Sequence, residues 1–376
     1  MRWLFLSPVV LLLYAGICYF IGSRLLGFIR CFLPDTSLIM FWFPFSLVCC
    51  VLVLLNFLRN NFLFLQRAGS YWTAVFLYLF MFLALSELIK LILFLFGKKP
   101  QNINLYTAGT TILLCVVLIV YGALHARSIK TADYNLTLNG SGGDIRIALI
   151  SDLHIGSSIG KAHIEKVVDI VNQAKPNIVC IAGDIFDGNL DVILDLQGII
   201  SALKGIYAPS GVYACLGNHD VDRLFRGSTE RIAEILQAAD IVLLQDEVYT
   251  VRENLHIAGC RDARPIGMNA ERKTPAELIA GLEGTIIVLD HQPVQFAQLE
   301  KAGADLTLCG HTHSGQLFPL NLITRRIFKK AGATHYGYWQ GETMQAVVTS
   351  GAGFWGPQVR IGTNSEVAVI NINFTP

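Results

Sequence analysis

Two hydropathy regimes divide the chain. Up to about residue 125, apolar residues run in four stretches, roughly 3–22, 37–58, 71–97 and 106–124. Each is long enough to cross a hydrocarbon core of about 30 Å, which takes about 20 helical residues. Lipid offers no partners to backbone N–H and C=O groups, so all four are predicted to be transmembrane helices. The first is too long for the apolar part of a typical secretory leader, and three more follow it. It therefore reads as part of an anchor rather than as a cleaved signal.

Beyond residue 125 the period of the pattern changes. Residues 126–143 read as a polar linker ending in Asn139-Gly140-Ser141-Gly142-Gly143, a run of turn formers. From 144 to 376, short β-rich runs alternate with amphipathic ones. Strands are predicted at 145–150, 177–182, 211–216, 254–259, 285–290, 305–309, 345–350 and 366–373. Helices are predicted between them, for example at 161–174 and 228–239, where Ile232, Ile235 and Leu236 share a face. Such alternation indicates a layered α/β domain, and about 230 residues are ample for one large core.

Composition supports the division. Hydrophobic residues make up 53% and charged residues 15%, with a mean hydropathy of +0.50. A soluble domain carries about 25% charged residues, so a disordered chain and an ordinary soluble enzyme are both excluded. The net charge of +1 is a cancellation: residues 1–125 hold 8 Lys/Arg against 2 Asp/Glu, the remainder 21 against 26. Four spans would put Arg2, Arg59, Arg67, Arg127 and Lys130 on one side, and Arg24, Arg30, Lys98 and Lys99 on the other. That small difference leans toward a cytoplasmic C-terminal domain. Glu87 and Lys90, at i, i+3 in the third stretch, read as an ion pair facing other helices or as a lysine reaching toward the interface. The nine cysteines form no CxxC pair and read as inert buried thiols.

The chemistry lies at the ends of the predicted strands. Asp152 and His154 follow the first, Gly183-Asp184 the second, and Gly217-Asn218-His219-Asp220 the third. His291 follows the 285–290 run, and Gly310-His311-Thr312-His313 the 305–309 run. Open α/β sheets bind ligands at the carboxyl ends of their strands. Carboxylate and amide oxygens mixed with imidazoles suit Mn, Fe, Zn or Co rather than a calcium cage. The donors are too many for one ion. Two divalent metal ions sharing a bridging carboxylate would use them all, an arrangement suited to hydrolysing phosphate esters.

The ordered set D-x-H, G-D, G-N-H-D, H and G-H-x-H resembles the calcineurin-like metallophosphoesterase superfamily across nearly all of residues 145–370. The resemblance implies a sandwich of two mixed β-sheets flanked by helices. It implies Asp152, His154 and His313 as ligands of one ion, Asn218, His291 and His311 as ligands of the second, and Asp184 as the bridge. It also implies that His219 binds phosphate and protonates the leaving oxygen, with Asp220 as its orienting partner. Ser151-Asp152-Leu153-His154-Ile155-Gly156, Gly183 to Gly188 and Gly310 to Gln316 are similar to a bacterial branch of membrane-anchored phosphohydrolases. Some members of that branch are similar to UDP-2,3-diacylglucosamine hydrolases. Ser314 departs from the glycine usual there.

Other residues carry two readings each. Asp187 is a second partner in the Gly-Asp loop or a turn former. Arg360 contacts phosphate or is a surface or structural residue. His335, Tyr336, Tyr338 and Trp339 line a groove or pack under their own loop. Arg325, Arg326, Lys329 and Lys330 meet anionic lipid or are a solvated face, while His163 and His256 read as bystanders. The expected protein is an integral membrane phosphoesterase, manganese-dependent or using a related metal, in a bacterial inner membrane. Its expected substrate is a phosphate mono- or diester, with a membrane lipid among the candidates. The alternative is a receptor or sensor module. Nucleic acid is not an expected partner, because the domain is net acidic.

Overall fold

The structure is a computed structural model that describes residues 8–57, 63–98, 100–140, 143–221, 228–262 and 272–375. The chain forms two compact units, Met1–Ala123 and Leu124–Pro376.

The described part of the first unit holds α1 (Pro8–Arg30), α2 (Leu38–Phe57), α3 (Leu63–Leu95) and most of α4 (Ile103–Ala126). Among the described residues, three helices are long and apolar enough to cross a membrane: α1, α3 over Arg67–Leu95, and α4. The apolar part of α2 within the described residues, Leu38–Leu52, is shorter than a span, so the predicted four stand at three. The ends of the predicted first and second stretches, and Arg2, Arg59 and Lys99 of the loop-charge count, lie outside the described residues. Many large apolar side chains on these helices are exposed, as apolar helices require when their solvent is lipid. Glu87 accepts from Arg24 Nε at 3.0 Å and from Lys90 Nζ at 2.6 Å, and Lys90 also donates to Asn104 at 3.1 Å.

The second unit is an α/β domain with two mixed six-stranded sheets. One runs β1 (Ile129–Asn139), β12 (Ser365–Thr375), β2 (Ile145–Ile150), β3 (Ile178–Ala182), β4 (Val212–Cys215), β5 (Val242–Leu243). The other runs β10 (Gly337–Gln340), β11 (Gln345–Val348), β9 (Leu306–Cys309), β8 (Thr285–Leu289), β7 (Leu255–Gly259), β6 (Glu247–Arg252). The neighbours β2, β3 and β4 run parallel, as do β7, β8 and β9.

Alternation along each strand sorts side chains into three apolar layers. Ile147 and Leu149 of β2 join Ile257, Leu289 and Leu308 of the other sheet in the core between the sheets. Ala148 and Ile150 face outward to α5 (Lys161–Gln173), α6 (Leu196–Lys204) and α7 (Ser228–Ala238). The outer face of the second sheet packs on α8 (Pro275–Leu278), α9 (Phe296–Ala302) and Phe328 of α10 (Leu320–Lys330). The four cysteines of this unit are buried free thiols.

The predicted linker is corrected in its larger part. Residues 129–139 form an edge strand parallel to β12, in register from Ile129↔Ser365 to Asn139↔Thr375. Leu136 and Leu138 point into the core while Asn135, Thr137 and Asn139 face out. That is a period-2 signal in a segment whose polar content read as a loop. The short or half-exposed strands β5, β6 and β10 also escaped prediction, because they bury too little to show alternation.

Candidate metal centre

Each of the five motifs starts where a buried parallel strand stops. β2 delivers Asp152 and His154, β3 delivers Asp184, and β4 delivers Asn218, His219 and Asp220. From the other sheet, β8 delivers His291, and β9 delivers His311 and His313. Asp152, His154 and His313 offer ligand atoms that lie within 4.8 Å of one another, as do Asp184, His291 and His311, and also His154, Asp184 and His219. The structure therefore gathers the six predicted charged or imidazole ligands into linked clusters.

Turning so sharply requires unusual backbone. Asp152, His154, Asp184, His311, His313 and Ser314 all have positive φ, between 46° and 74°. Such conformations cost of order 1–3 kcal/mol each in non-glycine residues and concentrate at functional sites. Gly183, at φ +77°, shows why the motif needs glycine: a Cβ there would stand 2.7 Å from both His291 Nδ1 and Gly217 N.

The donors face each other in a way the protein alone does not resolve. His291 Nδ1 lies 2.7 Å from the Ala182 carbonyl, which only accepts, so this nitrogen carries the proton. In the neutral ring the Nε2 lone pair then points at Asp184 Oδ2, 3.2 Å away. Two lone pairs at that distance repel unless a cation or a second ring proton stands between them. His154 Nε2 and His313 Nε2 approach to 3.1 Å, and His313 Nε2 is 3.4 Å from Asp152 Oδ1. Buried Asn218 Oδ1 has no hydrogen-bond partner among the described residues. A buried acceptor left unpaired costs about 1–3 kcal/mol, and a divalent ion would relieve it. The donor set fits a divalent metal centre.

The local field agrees. Burial works to raise the Asp184 pKa, but His291, His219 and His154 hold it well below the usual carboxylate range. Burial and then the Asp184 charge push Asp152 upward, partly opposed by His291. Burial disfavours a charged His291, yet Asp184 and Asp152 drive its pKa well up. All these shifts report a site that attracts positive charge. The carboxylates are oriented from behind: His219 N donates to Asp184 Oδ1 at 2.8 Å, and His311 N donates to Asp152 Oδ2 at 3.0 Å.

His219 lies at the edge of the cluster, its ring 4.9 Å from that of His154 and 6.2 Å from that of Trp355. Its predicted orienting partner is corrected. Asp220 is wholly buried and accepts from the backbone N–H groups of Ile185, Phe186 and Gly217 at 3.1, 2.8 and 2.9 Å. It ties the β3 loop to the β4 loop. Burial and then Asp184 push it up to about 7 against those three donors. Asp187 takes the place beside the imidazole, with Oδ1 3.2 Å from His219 Nδ1 and 3.7 Å from His154 Nδ1. Burial disfavours a charged His219, but Asp184 and then Asp187 raise its pKa overall. The sequence signal was the second Asp of Gly-Asp-Ile-Phe-Asp, which stays ambiguous until the loop closes.

Arg360 is structural. It is fully buried and donates to the carbonyls of Ser350, Gly353 and His313 at 2.6, 2.7 and 3.2 Å, which pins the 350–353 loop to the His313 turn. Beneath His291, Asp290 is buried and paired with Arg272 at 2.7 Å, a support that sequence reading missed. His163 bonds the Ala352 carbonyl, and His256 bonds Thr250 and the Glu283 carbonyl, both away from the clusters.

Residues 145–315 match the model of the calcineurin-like phosphoesterase family. The chain is 28% identical to a metallophosphoesterase of Campylobacter jejuni over 99% of each chain, so that likeness includes the apolar helices. It is 29% identical to a zebrafish transmembrane protein with a metallophosphoesterase domain, over 69% of this chain and 61% of that one. It is also 27% identical to phosphodiesterase YaeI of Escherichia coli, over 46% of this chain and 62% of that one. The strand-end motifs, the converging donors and these relatives agree: downstream of its apolar helices, the chain carries a calcineurin-like metallophosphoesterase domain, the family of metal-dependent phosphoester hydrolases.

Proposed function

We propose that the protein is a membrane-anchored dimetal phosphoesterase that hydrolyses a phosphate mono- or diester. The observation that carries this reading is the convergence of the donors, with Asp184 Oδ2 3.2 Å from His291 Nε2 and the buried Asn218 Oδ1 without a hydrogen-bond partner among the described residues. Asp152, His154 and His313 would hold one ion and Asn218, His291 and His311 the other, with Asp184 shared between the two sets. When bound, the ions supply Lewis acidity, which makes water nucleophilic at neutral pH and neutralises charge developing on the phosphoryl oxygens. The metal is Mn, Fe, Zn or Co, the ions such donors suit.

The chain's own residues do the rest. Asp152 and Asp184 keep their metal-facing oxygens aimed by accepting backbone N–H groups on their other lone pairs. His219, kept protonated by Asp184 and Asp187, donates to a phosphoryl oxygen and then passes its proton to the leaving oxygen. Trp355, more than half exposed beside His219, forms one wall of the mouth. With α2 counted as a fourth span, the anchor is a four-helix one, in a bacterial inner membrane. It keeps lipid-linked phosphoesters, including those resembling UDP-diacylglucosamine, within reach of the site.

The test uses the full chain in detergent. Asp184→Asn is expected to lower bound metal and to cut hydrolysis of a chromogenic phosphodiester by about 10³-fold or more. His219→Ala is expected to keep its metal yet lose about 10²–10⁴-fold in rate. Wild-type turnover and metal content in Asp184→Asn, with an unchanged melting curve, would overturn the reading. Assays on phosphomonoesters, diesters and lipid-linked pyrophosphates then rank substrate classes.

A further inference from the structure

The helix α10 follows directly on the His313–Gly315 turn through Gln316–Pro319. It rests on the domain without sinking into it. Asn321 lies against Gly315, and Phe328 packs on the outer core of the second sheet, yet none of the eleven residues is buried. On the adjoining face, Leu320, Ile323 and Ile327 fall at i, i+3 and i+7, one stripe of a helix. Ile323 and Ile327 are 58% and 59% exposed. Elsewhere among the described residues of this unit most such aliphatics fill the three core layers.

Charge borders the stripe. Arg325, Arg326, Lys329 and Lys330 are all exposed, and α10 contains no acidic residue. None of the four has an ion-pair partner among the described residues. Arg325 and Lys329 also edge an open cavity of about 740 Å³ whose wall includes Tyr336, Tyr338 and Trp339. Aliphatic stripe, flanking cations and neighbouring Tyr and Trp rings together have the character of a helix lying in a bilayer interface.

We propose that α10 docks on an anionic lipid surface, with Leu320, Ile323 and Ile327 in the acyl boundary and the four cations among the headgroups. Charge complementarity selects the anionic leaflet, since cations near such a surface are attracted to its negative potential. The same chain supplies three helices able to cross a membrane, which holds the second unit near lipid and makes docking an intramolecular event. A nucleic acid would match the cations but leave the aliphatic stripe in water. The proposal stands independently of the assigned activity.

Hydrogen exchange on the full chain tests it, in nanodiscs holding one copy each. Amides of Leu320–Lys330 are expected to exchange about tenfold more slowly in discs containing phosphatidylglycerol than in phosphatidylcholine alone, and high salt should weaken the effect. R326E/K330E should abolish the difference between the two lipids, and I323S/I327S should remove protection in both. Because all four side chains are exposed, the melting curve should not move. Equal exchange of wild-type protein in both lipids overturns the proposal. So does protection that appears only when a disc holds two copies, which would assign the stripe to a second copy of the chain.

Discussion

Two clusters of charged side chains among the described residues have opposite outcomes. In the first unit, Glu87 sits between Arg24 and Lys90, and Lys90 also reaches Asn104. Every charge there meets its opposite or a neutral acceptor, and the cluster is complete within the protein. In the second unit, two carboxylates and several imidazoles turn toward one another, and Asn218 Oδ1 meets no donor among the described residues. That cluster is finished only by cations from outside. Buried polar groups are costly unless paired, so a cluster completed internally holds structure, and one left incomplete holds a ligand.

The largest predicted effect strikes the incomplete cluster through its scaffold. A Cβ on Gly310 would overlap Ser151 Oγ and crowd Asp152 Oδ2. Gly310→Ala should therefore displace Asp152, lower metal content, and cost about 10³-fold in hydrolysis, comparable to losing a ligand. Chelation of wild-type protein should give the same loss and be reversed by added metal, whereas Gly310→Ala should not be rescued. Metal analysis beside the assay checks both. A Gly310→Ala protein with full metal and rate would mean that the donors tolerate disorder, and the distinction between the clusters would fail.

Arg360 is the next test, because it is a buried charge completed by carbonyls rather than by a carboxylate partner. Burial pulls its pKa down to about 10, with Asp152 and Glu366 opposing. Arg360→Met strands the Ser350, Gly353 and His313 carbonyls at once. The expected loss is about 3 kcal/mol, or roughly 6–12 °C in the melting temperature of a domain this size. Thermal denaturation followed by circular dichroism reads it directly.

Asp187→Asn should be milder and specific. Removing the anion 3.2 Å from His219 Nδ1 lowers the His219 pKa, so a smaller fraction is protonated at any given pH. The alkaline limb of the kcat profile should move to lower pH, with the rate above neutrality falling about tenfold. Metal content should stay at the wild-type level. An unchanged pH profile would return the orienting role to another carboxylate.

Much of this site was legible from order alone. Strand ends are easy to read when strands are as apolar as Ile178–Ala182, and the residues just past them are the ones a parallel sheet brings together. What escaped was set by tertiary closure. Asp187 and Asp220 are both acids in loops next to glycines, and only the fold decides that one meets an imidazole and the other three peptide N–H groups. The strand at 129–139 was hidden because its outer face is polar and its partner, β12, is more than two hundred residues away. Arg360 reads as a surface residue from composition, and becomes interior only because three loop carbonyls converge on it.

The smallest effect belongs to the complete cluster. Glu87→Gln keeps the shape of the side chain and removes the charge that Arg24 and Lys90 share. Were the trio fully buried, two unpaired cations would cost several kcal/mol. Both Arg24 and Glu87 are about one-third exposed, however, at 37% and 31%, so the long cationic side chains can reach along their helices toward the interface and much of the loss is recovered. The expected cost is about 1 kcal/mol, seen as a small drop in the helical melting transition in detergent. Hydrolysis of a soluble phosphodiester should stay within about twofold of wild type, since a small local destabilisation removes no donor from the metal centre. A Glu87→Gln protein that melts normally but loses tenfold or more in turnover would show the opposite: the trio would have to act on the chemistry, and completeness within the protein would no longer separate a structural cluster from a working one.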